Sequence, residues 1–357
     1  MAEITYREFS PRDEQEVLSL FEASFGRPRE LAQWRWQFFG GPEKSIIVLA
    51  ENENKIVGHY AILPRMLRSG DDVMKAGIVV DVMTHPQYGR RGIFACSAIR
   101  AFELAKAAGI SVLLGFPNEA AIKGHRKVGW SEIGYVRVFV RPLRASALST
   151  ALRGRLRLPA LVTKGFDAIL SLITKSTPIG EARGVKMTCM SASSLTSLGD
   201  ELGRFVKDAL PESALRSERT VEWLKWRLAD PLGAHYAVVA REMGTSKIVG
   251  VMILKMKEYK GMRVGAILDV IVQEGGQDVE GLLLKNAIRK ARSEGCEICL
   301  MLGSPLASRF FTLMGSTFMP SPKRLKFIVR TVEGVPLPAS LRDIRNWHLQ
   351  LIDHDVI

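Results

Sequence analysis

Apolar and polar residues alternate over residues 4–9, which predicts a strand, and apolar positions then recur at helical spacing over 11–25, with Ser10 placed to cap that helix. A Trp-rich helix is expected around residues 30–38, followed by strands at 45–51, 55–67 and 75–84. A helix should occupy residues 93–108, closed by Gly109, and the apolar run at 111–116 has the pattern of a strand buried on both faces. A short helix near 119–128 and a strand over 132–141 complete the unit. This order predicts an α+β fold with a mixed, mostly antiparallel sheet flanked by helices, not a regular β-α-β alternation.

The same order recurs downstream. "KIVGHYAIL" from Lys55 is matched by "KIVGVMILK" from Lys247, "AGIVVDV" by "VGAILDV", and "LLGFP" by "MLGSP". The offset is 188 residues both at Asp81 and Asp269 and at Pro117 and Pro305. Upstream, Trp34 and Trp36 face Trp223 and Trp226. With 357 residues, enough for about two ordinary domains, the chain is expected to hold two tandem copies at 1–141 and 185–335. A basic linker at 142–184 and a C-terminal segment at 336–357 account for the remainder.

Charge adds one peculiarity, a formal +13, which suits a polyanionic ligand, an acidic membrane surface or nucleic acid. No zinc-finger, homeodomain or RNP pattern supports nucleic acid as a partner, and the basic linker is the segment suited to a weak membrane-surface contact. The absence of a signal-like N-terminus and of a run of ~20 apolar residues points to a soluble, cytoplasmic protein. Four cysteines are too few for a disulfide framework. Cys296 and Cys299 have no second pair or histidine at zinc spacing, so core positions are expected and no metal.

The stretch "DVMTHPQYGRRGIF" carries the candidate chemistry. A strand, a basic glycine-containing turn and a helix start place the backbone N–H groups of residues 89–94 at a helix N-terminus, where the dipole favours an anion. Arg90 and Arg91 add charge, and Gly89 and Gly92 allow close backbone approach. On these residues alone the turn suits any phosphate, and solvated arginines remain the plainer alternative.

This stretch resembles the coenzyme A pyrophosphate loop of the GNAT superfamily of N-acetyltransferases. "NEAAIKGHRKVGW" (118–130) resembles the companion motif of that family, matching at Asn118, Ala121, Ile122, Lys127, Gly129 and Trp130. The resemblance covers the first copy well and the second only in element order, which implies two tandem GNAT-like domains with a degenerate second copy. It implies acetyl-CoA as co-substrate, held by Val82, Met83, Thr84, Gly89, Arg90, Arg91, Gly92, Ile93, Phe94 and Asn118, and a small-molecule amine as acceptor. An amino sugar or cell-surface polysaccharide precursor is the first acceptor it suggests. The loop departs from the family pattern at Gly89 and Phe94, and His125 stands where the family commonly has a tyrosine that protonates the leaving thiolate.

His125, with an ordinary pKa near ~6.5, is therefore the candidate general acid, against the alternative of a solvated surface histidine. Asp81 is the candidate base, with His59 next; yet Asp269 occupies the same place in a copy that lacks the loop, which suits a structural hydrogen bond equally. Cys96 is expected on the buried face of its helix rather than as a nucleophile. Fem-like or mycothiol-synthase-like transfer, a non-catalytic acyl-CoA sensor and a basic surface-binding protein stand as alternatives.

Overall fold

The computed structural model describes residues 3–144, 181–182, 184–209, 214–273, 275–303 and 318–354. The first half runs β1 (Thr5–Glu8), α1 (Glu14–Phe25), α2 (Leu31–Phe39), β2 (Ile46–Asn52), β3 (Lys55–Ser69), β4 (Asp72–Thr84), α3 (Ile93–Ala107), β5 (Val112–Gly115), α4 (Glu119–Lys127) and β6 (Ser131–Pro142). Every element expected from the hydrophobic pattern is present, with ends shifted by a few residues. The second half runs β7 (Glu181–Ala182), β8 (Val185–Ser191), α5 (Ala192–Thr196), α6 (Asp200–Ala209), β9 (Arg216–Ser217), α7 (Val221–Leu228), β10 (Ala234–Glu242) and β11 (Ile248–Tyr259). It continues with β12 (Met262–Val272), α8 (Gln277–Ser293), β13 (Ile298–Gly303), β14 (Met319–Thr331) and α9 (Ala339–Arg342).

One sheet joins both halves, in the order β1-β2-β3-β4-β5-β14-β6-β13-β12-β11-β10-β8-β7, with β9 against the far end of β3. The β4·β5 and β12·β13 pairs are parallel, and the others are antiparallel. Strand β14 lies between β5 and β6, and β6 pairs on its other side with β13. The expected boundary at residue 141 is therefore not a boundary in the sheet. Residues 1–141 lend their last strand to the second half and receive β14 in return.

The physical reason lies in β5. Its four residues are all buried, and an apolar strand left at a sheet edge would expose unpaired N–H and C=O groups. Residues Ile328 to Thr331 of β14 pair along it, with Ile328 and Val329 fully buried.

Side-chain alternation divides the first half into two layers. On one face Leu49, Ala61 and Val80 pack with Val17, Leu20 and Phe21 of α1 and with Trp34 and Phe38 of α2. On the other, Val48, Tyr60 and Ile62 pack with Ala98, Ala101 and Phe102 of α3 and with Ile122 of α4. Trp34 is thus a core residue, its ring 5.1 Å from those of Phe9 and Phe38.

Cys296 and Cys299 are buried as expected, whereas Cys96 is exposed and not on the inner face of α3. Most of the basic linker at 142–184, with its expected membrane contact, lies outside the described residues, as does Pro305. Among the described residues no helix is long and apolar enough to cross a membrane, and no cluster of His, Cys, Asp or Glu is disposed to hold a metal.

Candidate active site

Strands β4 and β5 pair from Ala76↔Val112 to Val79↔Gly115 and then part. Beyond Val79, β4 continues to Thr84 bonded to β3 alone, so its edge toward β5 is open to a ligand. A bulge at this point, where the register slips between His59 and Ala61, bends β4 away. Asp81 sits in the bulge at φ 46°, a left-handed conformation that aspartate tolerates better than most residues. The resulting cleft holds about 500 Å³, and its lining includes Val82, Asn118, Ala121 and His125 together with Phe21, Phe25, Arg27 and His354.

The turn at residues 89–92 leads into α3 as expected. Gly89 and Arg90 are exposed, Arg90 at φ 65°, and Gly92 is the N-cap at φ 77°. A Cβ on Gly92 would meet nothing within 4 Å, so glycine is required there for its backbone conformation and not for space. The Cys96 N–H already bonds the Gly92 carbonyl at 3.1 Å, which leaves the amides of Ile93, Phe94 and Ala95 as the unsatisfied donors of the first turn. The Arg91 guanidinium lies 4.9 Å from the ring centre of Tyr88, a positioning contact that sequence reasoning missed. Unsatisfied first-turn amides, two cations and the helix dipole together fit a pyrophosphate.

Phe94, which departs from the family pattern, finds its place through Gly124. A Cβ at Gly124 would lie 2.9 Å from the Phe94 ring, so only glycine in α4 allows the close approach. The ring packs edge-on to Tyr60 and His125. Asn118 is the N-cap of α4, its side-chain oxygen accepting from the Ala121 N–H at 2.9 Å. That bond uses the side-chain oxygen and does not engage the Nδ2 donors, which the motif could offer to the co-substrate.

His125 lines the cleft but is neither a solvated surface residue nor an ordinary imidazole. It is 3% exposed, stacked edge-on against Phe94 and Trp130, and its Nδ1 is buried without a partner. Burial pushes its pKa down to about 4. A ring so shifted carries little imidazolium near neutral pH, which weighs against the general acid of ordinary pKa expected there.

Asp81 also lines the cleft, but its carboxylate forms an ion pair with Arg29, whose side chain is 4% exposed. Arg29 also donates to the Gln37 side chain, and its guanidinium lies over the Phe21 ring at 5.1 Å. His59 donates from Nδ1 to the Asp81 backbone carbonyl at 2.7 Å. Its pKa is lowered, chiefly by burial, and it does not line the cleft. Trp34 and Trp36 do not line it either.

The second half repeats the carboxylate arrangement. Asp269 accepts from Arg219 Nε at 2.7 Å, and the same guanidinium bonds Asp353 at 2.8 and 2.9 Å, all three side chains being buried. Arg29 precedes α2 as Arg219 precedes α7. That shared position was the sequence signal for the arginine. The C-terminal segment also reaches the site, His354 stacking 5.0 Å from Phe116. No sequence pattern announced that contact.

Residues 5–133 match the model of the acetyltransferase (GNAT) domain. No curated protein matches the sequence. Among solved structures, the fold is similar to a GCN5-related N-acetyltransferase from Anabaena variabilis at 14% identity and TM-score 0.64, covering 92% of this chain and 73% of that one. It is similar to Saccharomyces cerevisiae N-myristoyltransferase with bound myristoyl-CoA at 12% identity and TM-score 0.63, covering 92% and 79%. A probable N-acyltransferase from Enterococcus faecalis follows at 10% identity and TM-score 0.62, covering 93% and 73%. The chain carries a GNAT acetyltransferase domain at residues 5–133, and with it the fold and enzyme class of an acyltransferase.

Proposed function

We propose that the protein transfers the acetyl group of acetyl-CoA to a primary amine of a small molecule, with amino sugars and cell-surface polysaccharide precursors the first acceptors to assay. The observation that carries this reading is the parting of β4 and β5 above the exposed N-terminus of α3. The amides of the first turn, with Arg90 and Arg91, would receive the pyrophosphate. The open β4 edge at Val82, Met83 and Thr84 would pair with the pantetheine arm, and one of its N–H groups would stabilise the developing oxyanion. The amine would approach from the α1 side, near Asp81, attack the thioester carbonyl and release the thiolate of coenzyme A.

The second half is best understood as a degenerate copy that completes the sheet. Two features favour a duplication: the paired Asp81–Arg29 and Asp269–Arg219 bridges, and the reciprocal exchange of β6 and β14. Gly275 and Gly276 precede α8 without any arginine, so the loop chemistry stays with the first half.

Calorimetry with acetyl-CoA, followed by a thiol-release assay over an amine panel, tests the function. Binding with turnover supports it. Binding without turnover on any amine would instead favour an acyl-CoA sensor, and the absence of binding would remove both.

A further inference from the structure

Cations outnumber acids in the lining of the cleft. At the α1 end, the loop after α1 brings Arg27 to the rim, and β14 brings Lys323 and Arg324. Phe21 and Phe25, ring centres 4.7 Å apart, form an apolar wall beside them, and the Arg27 guanidinium lies 5.5 Å from the Phe21 ring centre. The acids of the same cleft do not neutralise them. Asp81 is paired with Arg29, and Glu119, in the first turn of α4, forms no ion pair with these cations among the described residues. Lys326, also on the wall, is paired with Glu132 at 3.2 Å. Among the described residues, no carboxylate pairs with Arg27, Lys323 or Arg324.

The field of these cations reaches inward. Burial first, and then Lys323, Arg227, Arg65 and Lys257, push His354 down to about 3. Lys257 is pushed down to about 8 by burial, then by Lys255, with Arg27 acting in the same sense and Asp230 opposing. Like charges that crowd a concave, partly desolvated surface raise its potential and favour an anion there.

We propose that the acceptor carries an oxyanion, phosphate or carboxylate, held by Arg27 from the first half and Lys323 from the second, while its amine reaches the parted strands. This deepens the acyltransferase reading and rests on it. It also gives the second half a direct part in choosing the acceptor, since Lys323 lies on the exchanged strand. The alternative owner of these cations is the co-substrate, whose own phosphates need partners.

The experiment therefore uses full-length protein saturated with coenzyme A, titrated with inorganic phosphate and, separately, with succinate. Arg27 and Lys323 are both exposed, so the Arg27→Ala/Lys323→Ala variant should fold, which a thermal melt checks. The expected result is an oxyanion site that persists with coenzyme A bound and weakens about 10-fold or more in the variant, with coenzyme A affinity unchanged within about 2-fold. Preference for phosphate indicates a phosphorylated acceptor, and preference for succinate a carboxylated one. The proposal is overturned if coenzyme A abolishes oxyanion binding, if the variant loses both ligands together, or if it binds the oxyanion as well as the parent. Should coenzyme A itself fail to bind, the acyltransferase reading fails, and the same titration on the unliganded protein still decides whether Arg27 and Lys323 form an anion site.

Discussion

Trp36 and Trp226 exchange hydrogen bonds: the indole N–H of each donates to the backbone carbonyl of the other, at 2.6 and 2.7 Å. Residues from the two halves thus meet in a self-complementary contact, as matching patches do across a two-fold interface. The Arg227 guanidinium covers both rings, at 5.3 and 5.5 Å. Trp36→Phe and Trp226→Phe each remove one donor while keeping aromatic bulk. Each should lower unfolding stability by about 1 kcal/mol. The double variant should show a coupling of about 0.5 kcal/mol or more in a urea double-mutant cycle. Independent, additive losses would mean that the pair is not a unit.

Strand exchange makes the halves mutually dependent. A fragment of residues 1–141 lacks β14, leaves buried β5 as an open edge, and loses the Arg330 side chain that bonds the Val128 carbonyl at the end of α4 and lies 4.2 Å from the Phe102 ring. The fragment is therefore expected to bind no acetyl-CoA by calorimetry, and co-expression with residues 181–357 should restore binding. Full-chain affinity in the fragment alone would show that β14 is dispensable to the site.

The elements of the first half were legible because burial repeats at period 2 or 3.6, and the phosphate turn because its glycines and arginines are local. What was hidden depended on distant pairing. Nothing near β6 indicates that it prefers β13 to β5, since both are short apolar strands. The burial of His125 was equally illegible, because the cations beside it in sequence, Lys123, Arg126 and Lys127, are exposed while its own ring turns inward against Phe94 and Trp130.

Asp81 offers a choice between base and scaffold that stability can decide. Asp81→Asn keeps a residue that tolerates positive φ but leaves buried Arg29 without its carboxylate, which should cost about 3–5 kcal/mol. Adding Arg29→Met should recover much of that loss. If Asp81→Asn is instead as stable as the parent in urea while kcat falls by orders of magnitude, the carboxylate is the general base.

His125 should reveal itself through acid stability. Its folded pKa of about 4 lies below the unfolded value of ~6.5, so the unfolded chain binds the extra proton between those pH values. The stability linked to this ring is fully present above pH ~6.5 and is lost as pH falls toward about 4, by up to roughly 3 kcal/mol. Half-buried His235 and buried His354, His59 and His348 are shifted in the same direction and add to the slope. Denaturation midpoints at pH 7.5, 6 and 5 should show His125→Phe losing less stability than the parent on acidification. The same variant should keep kcat within a few-fold near pH 7. A loss of about 100-fold there would return the ring to a catalytic role.

The pyrophosphate turn is the most direct test of where coenzyme A binds. Arg90 and Arg91 are exposed, so reversing their charge disturbs no core contact, yet it places two acids where phosphates would lie. Each charge-assisted hydrogen bond is worth about 1.5–3 kcal/mol, so Arg90→Glu/Arg91→Glu should weaken acetyl-CoA binding by at least about 10-fold. Lys285→Glu is the matched control, an exposed charge reversal on α8 of the second half. It should leave the affinity unchanged, because no arginine turn precedes that helix. If the control abolished binding while the double reversal did not, the second half would hold the co-substrate and the parted β4 and β5 strands would serve another ligand.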